Sequence, residues 1–129
     1  MQGKKILVTD DRVGIRRLLR EILETASYRV YTAAGGEEAL AIIKKEFIDM
    51  VLLDMKMVGM DGMETLSRIK KVSPRTLVAL MTAYEEPDIL AEGLRRGACC
   101  YITKPFDIMD LLNTIKEQLS AVDHKAVSL

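Results

Sequence analysis

The chain has 129 residues, of which 49% are apolar and 29% charged, the proportions of one globular domain with a core large enough to need no metal or disulfide staple. Lysine plus arginine and aspartate plus glutamate number 19 each, so no charge excess points to nucleic acid or an anionic membrane. No apolar run approaches the ~20 residues that span a bilayer, and the N-terminus lacks a signal-peptide core.

Apolar β-rich runs alternate with helical patterns along the whole chain. The first strand is expected over Lys5–Thr9, and after it Ile15, Leu18, Leu19, Ile22, Leu23 and Ala26 step by three and four, giving one apolar helical stripe. A second strand, Arg29–Ala33, precedes a helix carrying Ala39, Leu40, Ile42 and Ile43. The third, Met50–Asp54, precedes Met63, Leu66 and Ile69. The fourth, Leu77–Thr82, precedes Leu90 and Leu94, with Pro87 suited to the first helical turn. The fifth, Cys100–Thr103, leads to Leu111, Leu112, Ile115 and Leu119. Three strands are almost uninterrupted apolar runs, as expected where both faces of a parallel sheet are covered. Five strand–helix units imply an α/β fold with right-handed crossovers and helices on both faces.

Cys99 and Cys100 are neighbours. Placed together in a strand they would point to opposite faces, badly set to share a metal or to bridge, and they read as small packing residues of a reduced, intracellular protein. The only histidine, His124, lies in a polar stretch without partner ligands.

The polar residues gather at the carboxyl ends of the strands. Strand one ends at Asp10-Asp11, strand three at Asp54, strand four at Thr82 and strand five at Lys104-Pro105. Open α/β sheets bind ligands at that edge. Each element alone has an ordinary reading: paired aspartates make turns and helix caps, and Lys-Pro is a common turn dipeptide. Their joint placement carries the information. Three carboxylates in a partly dry crevice repel one another unless protonated or joined by a cation. An all-oxygen donor set suits Mg²⁺, and a lysine opposite it suits a dianionic group such as phosphoryl.

Ile6-Leu7-Val8-Thr9-Asp10-Asp11, Leu52-Leu53-Asp54-Met55-Lys56-Met57-Val58-Gly59-Met60-Asp61-Gly62, Met81-Thr82-Ala83 and Thr103-Lys104-Pro105-Phe106 resemble the four signature segments of response-regulator receiver domains. The resemblance covers about residues 4–121. Val51-Leu52-Leu53-Asp54-Met55-Lys56 and Lys104-Pro105-Phe106-Asp107 are similar in particular to the single-domain sporulation phosphorelay type.

The resemblance implies a flavodoxin-like (βα)₅ fold of strand order 2-1-3-4-5, with residues 1–122 as the receiver and 123–129 as a polar C-terminal tail. It implies that Asp54 takes a phosphoryl group from a phosphohistidine of a sensor histidine kinase or histidine phosphotransfer protein. Mg²⁺ would be held by Asp10, Asp11, Asp54 and the Lys56 backbone carbonyl, while Thr82 and Lys104 would contact the phosphoryl group. Tyr101 matches the switch aromatic, in a surface made by the fourth helix, fifth strand and fifth helix. Ile15, Pro105 and Phe106 are expected to dock the phosphodonor. Lys56 and Tyr84 are expected to set the lifetime of the phosphoryl group, and the Lys104-Pro105 bond is expected to be cis. A downstream phosphotransferase or a linked output domain would receive the signal in the cytoplasm, and the chain reads equally as a stand-alone relay protein or as a receiver from a larger regulator.

Two positions depart from the family pattern. Val58 stands where proline is usual, and Thr9 where valine is common, so the Thr9 hydroxyl must find a partner. Other functions fit less well. A haloacid-dehalogenase phosphatase needs a second carboxylate two residues after the nucleophile, where this chain has Lys56. A flavin carrier needs a hydroxyl- and glycine-rich phosphate loop where it has Asp10-Asp11-Arg12, and a dinucleotide site needs G-x-G-x-x-G there, whereas the paired glycines Gly35-Gly36 follow the second strand. A degenerate receiver that only binds partners would not need Asp54, Thr82 and Lys104 intact.

Overall fold

A computed structural model describes residues 3–56, 61–83 and 87–128, with side chains to residue 122. The elements follow in the order β1 Lys5–Thr9, α1 Val13–Thr25, β2 Arg29–Ala33, α2 Gly36–Lys45, β3 Met50–Asp54, α3 Gly62–Val72, β4 Leu77–Thr82, α4 Pro87–Arg95, β5 Cys100–Thr103 and α5 Ile108–Ser128. All five strands coincide with the apolar runs, and Pro87 opens α4, where its missing N–H costs nothing. The sheet is parallel throughout and ordered β2-β1-β3-β4-β5.

Period-2 alternation splits each strand between two cores. Ile6, Val8, Met50, Leu52, Ala79 and Met81 face Leu19 and Leu23 of α1 and Leu111, Ile115 and Leu119 of α5. Leu7, Val51, Leu53, Val78 and Leu80 face α2 through Ala39, Leu40 and Ile43, and α3 through Leu66 and Ile69. Each fully buried leucine or isoleucine contributes about 1.5–3 kcal/mol, so continuous apolar strands stabilise both layers at once.

Two glycines permit close approach. A Cβ on Gly62 would meet the Met55 backbone Cα at 2.9 Å and its Sδ at 2.8 Å, so only glycine lets the start of α3 lie against the end of β3. A Cβ on Gly93 would collide with Leu80, which holds α4 against β4.

Three details differ from the sequence reading. The Thr9 hydroxyl is buried and has no hydrogen-bond partner, because Thr9 shares a face of β1 with Leu7, whose side chain lies in the apolar α2/α3 layer. Cys99 precedes β5, which begins at Cys100 as expected, so the strand alternation expected to point the two cysteines to opposite faces does not govern the pair. Their sulfurs lie 3.6 Å apart, and both residues pack against the α1/α5 core. The backbone of residues 123–128 continues α5 as helix.

Candidate functional site

The hydrogen-bond ladder runs one residue past the strands at the carboxyl edge. Asp10 N–H donates to the Ala33 carbonyl at 3.1 Å, Met55 N–H to Met81 at 3.1 Å, and Lys104 N–H to Thr82 at 2.7 Å. These bonds fix Asp10, Asp54 and Lys104 side by side at one end of the sheet. Asp10 is fully buried, Asp54 is 3% exposed and Thr82 is buried beside them.

Carboxylate oxygens of Asp10, Asp11 and Asp54 all lie within 4.8 Å of one another. The Lys104 Nζ sits 2.8 Å from Asp10 Oδ2 and 3.4 Å from Asp54 Oδ1. Backbone N–H groups supply further donors: Arg12 to Asp10 Oδ1 at 2.9 Å, and Lys56 to Asp54 Oδ1 at 3.1 Å. Burial nevertheless holds the Asp54 carboxyl above the usual aspartate range, and the neighbouring Asp10 charge adds to this. The Lys56 N–H and the Lys104 ammonium oppose it without cancelling it.

The donor set fits a small hard cation. Among the described residues three carboxylates converge at this edge with a lysine and without thiolate or imidazole, the chemistry that selects Mg²⁺ over softer metals. Asp10, Asp11 and Asp54 are thus brought together as the strand-end reading anticipates, along with Thr82 and Lys104. The Lys104-Pro105 peptide is cis. Tyr101 pairs with Leu80 on β4 and stands 41% exposed. Lys56 is an exposed residue whose backbone N–H donates to the Asp54 carboxylate. Tyr84 and Val58 lie outside the described residues.

Ile15, Pro105 and Phe106 line one apolar groove of ≈ 580 Å³, bordered by Arg12, Leu18 and Lys104. Ile15 and Phe106 also pack against the α1/α5 core, so one surface of each side chain is structural and another faces the groove.

Two residues of the site escape the strand-end reading. Arg16 donates from Nη1 to the Asp10 carbonyl at 2.8 Å, and the Arg12 Nε lies 3.6 Å from Asp10 Oδ1. The signal was present as arginines two and six positions after Asp10, a spacing that the first turn of α1 folds back over β1.

The family model for the response regulator receiver domain matches residues 6–116. The chain belongs to the response regulator receiver family. Its relatives include sporulation initiation phosphotransferase F of Bacillus subtilis (strain 168), 44% identical over 92% of this chain and 96% of that protein. The transcriptional regulatory protein ZraR of Klebsiella oxytoca is 40% identical over 93% of this chain, which spans only 28% of that longer protein. A CheY-like receiver domain protein from Methanospirillum hungatei JF-1 superposes with a TM-score of 0.92 at 35% identity, covering 96% of this chain and 99% of the other. The chemotaxis protein CheY4 of Vibrio cholerae gives 0.85 at 32% identity, covering 89% and 98%. The receiver is therefore a phosphoacceptor module of two-component and phosphorelay signalling. No helix among its described residues is long and apolar enough to cross a membrane.

Proposed function

We propose that Asp54 is the residue that accepts the phosphoryl group. The observation that carries this reading is the buried Asp54 carboxylate 3.4 Å from the Lys104 ammonium, with Asp10 and Asp11 carboxylates alongside. A carboxylate oxygen of Asp54 attacks the phosphorus of a phosphohistidine on a sensor kinase or phosphotransfer protein. The new P–O bond forms as the P–N bond breaks, and the imidazole departs with its electron pair and takes up a proton. Lys104 holds a phosphoryl oxygen, moving off Asp10 as charge grows on the transferred group, and the Thr82 hydroxyl donates to another.

Asp10, Asp11, Asp54 and the Lys56 carbonyl would hold Mg²⁺, which when bound neutralises charge on the phosphoryl oxygens. Desolvation strengthens each of these contacts, because a buried Asp54 exchanges water for fixed donors. Release of Lys104 and the pull on Thr82 couple the site to β4 and β5, and through Tyr101 to the surface of α4, β5 and α5. The groove of Ile15, Pro105 and Phe106 receives the donor protein. Its apolar lining beside the acidic pocket supports that reading. A downstream phosphotransferase or a linked output domain takes the signal, in the cytoplasm. Loss of the phosphoryl group to water is assisted by the receiver itself and slowed by Lys56, and by Tyr84 where that residue reaches the site. Residues 1–122 act as the receiver and 123–129 as a polar extension, whose backbone continues α5 to Ser128.

Incubation with acetyl phosphate and Mg²⁺, read on a phosphate-affinity gel, tests the reading. The wild type is expected to shift, and Asp54→Asn to stay unshifted. An equal shift in the variant contradicts it.

A further inference from the structure

The cysteine pair lies at the start of β5, at the opposite end of the sheet from the acidic pocket. Its two sulfurs are 3.6 Å apart, far beyond the ~2.05 Å of a disulfide bond and close to the separation of two sulfurs bound to one ion. With a metal–sulfur bond of about 2.3 Å, that gap subtends about 103° at the bound atom, near the angle of a pyramidal or tetrahedral centre.

The backbone on both sides is anchored. Cys99 N–H donates to the Val78 carbonyl at 2.9 Å, and Cys100 pairs with Ala79 in the β4–β5 ladder. Both side chains are half-buried, free thiols, packed on one side by the core and open on the other. The pair also supplies its own nucleophile. The hydrogen bond with the Cys100 sulfur draws the Cys99 thiol below its ordinary range, outweighing burial, and the Lys70 ammonium helps. The same bond and burial push Cys100 up. Thiolate is the form that attacks soft electrophiles.

Among the described residues, no third cysteine, histidine or carboxylate joins the two sulfurs in a metal cluster. That disfavours zinc, which takes four protein ligands in structural sites, and favours an ion satisfied by two sulfurs. We propose that Cys99 and Cys100 form a two-sulfur site for a trivalent organoarsenical, the thiophilic class whose arsenic completes its coordination with one carbon and two thiolates. Two As–S bonds form as the As=O bond breaks, and the oxygen leaves as water carrying the two thiol protons. No electrons are exchanged, so no oxidant or reductant is required.

The test uses the reduced full chain, phenylarsine oxide and intact-mass spectrometry, followed by washing with excess 2-mercaptoethanol or with dithiothreitol. The wild type is expected to keep one phenylarsenic group through the monothiol wash and to lose it to the dithiol. Cys99→Ser and Cys100→Ser are each expected to lose it to the monothiol. Cys99→Ala and Cys100→Ala, checked by circular dichroism, separate a missing ligand from a misfolded serine variant. Retention by either folded single variant overturns the proposal. So does a wild-type adduct that washes off with monothiol, or no adduct at all, whether the thiols stay free or have closed into a disulfide.

Discussion

Lys104 and Asp10 stand 94 positions apart in the chain, yet the Lys104 Nζ lies 2.8 Å from Asp10 Oδ2, with both side chains almost wholly removed from solvent. The lysine answers the charge of two carboxylates at once, since Asp54 Oδ1 is 3.4 Å away. Breaking a buried pair costs more than forming it gains, because the remaining charge is left without a partner. Lys104→Met is therefore expected to lose about 3 kcal/mol in metal-free buffer at neutral pH. Mg²⁺ is expected to restore part of that loss by taking the lysine's place among the carboxylates. Urea unfolding with chelator and with Mg²⁺ measures both, and wild-type stability of the variant in chelator would contradict the pairing.

Burial gives Asp54 a pH signature of its own. Its folded carboxyl titrates above the ordinary aspartate range, so the folded state binds the proton more tightly than the unfolded chain does. The stabilising contribution is fully present below the ordinary range, near pH 4, and is lost as pH rises through the higher folded value. In metal-free buffer Asp54→Asn is expected to be the more stable form at pH 7, with the gap closing as pH falls toward 4. Thermal melts across that range are the check, and a variant that melts lower at pH 7 counts against a buried carboxyl held above its ordinary range.

Two buried threonines should respond in opposite directions. The Thr9 hydroxyl is buried without a partner, and the desolvation of such a group costs about 1–3 kcal/mol. Thr9→Val is expected to stabilise the receiver by about 1 kcal/mol or more. Thr76 is equally buried, but its hydroxyl reaches the Ile48 carbonyl and the Ser73 hydroxyl, both at 2.7 Å. Thr76→Val is expected to destabilise by about 1–3 kcal/mol. Denaturant midpoints compare the two, and equal effects of the same sign would overturn the distinction.

Lys56 is exposed and follows Asp54 by two residues, with its N–H on Asp54 Oδ1. On the proposed function its long side chain would crowd the in-line path of a hydrolytic water. Lys56→Asn is expected to shorten the phosphoryl lifetime about tenfold, the effect of ~1.4 kcal/mol on the barrier. Decay in excess Mg²⁺ after removal of the donor gives the rate. An unchanged lifetime makes Lys56 a solvated loop lysine and nothing more.

The strands were readable because a sheet covered on both faces leaves no room for polar alternation, so Met50-Val51-Leu52-Leu53 and Leu77-Val78-Ala79-Leu80-Met81 announce themselves. Their carboxyl ends then locate Asp10, Asp54, Thr82 and Lys104 without any further geometry. Both cysteines pack against the core as their small apolar character anticipates, but the 3.6 Å approach of their sulfurs does not follow from strand alternation, because Cys99 lies just before β5. Arg12 and Arg16 were missed because their contacts depend on how α1 turns back over β1, which periodicity alone does not express. The unpartnered Thr9 hydroxyl depends on which layer each side of β1 meets, a tertiary fact that strand pattern cannot contain.

The identity of the acceptor is open to direct chemical reading. Borohydride reduces an aspartyl phosphate to homoserine and leaves free aspartate untouched, so the modified position survives proteolysis. The receiver, phosphorylated with acetyl phosphate and Mg²⁺ and then reduced with borohydride, is digested and sequenced by mass spectrometry. Homoserine is expected at position 54 and at no other aspartate. Homoserine at position 10 or 11, or its absence from a protein that carries phosphate, would contradict the assignment of Asp54.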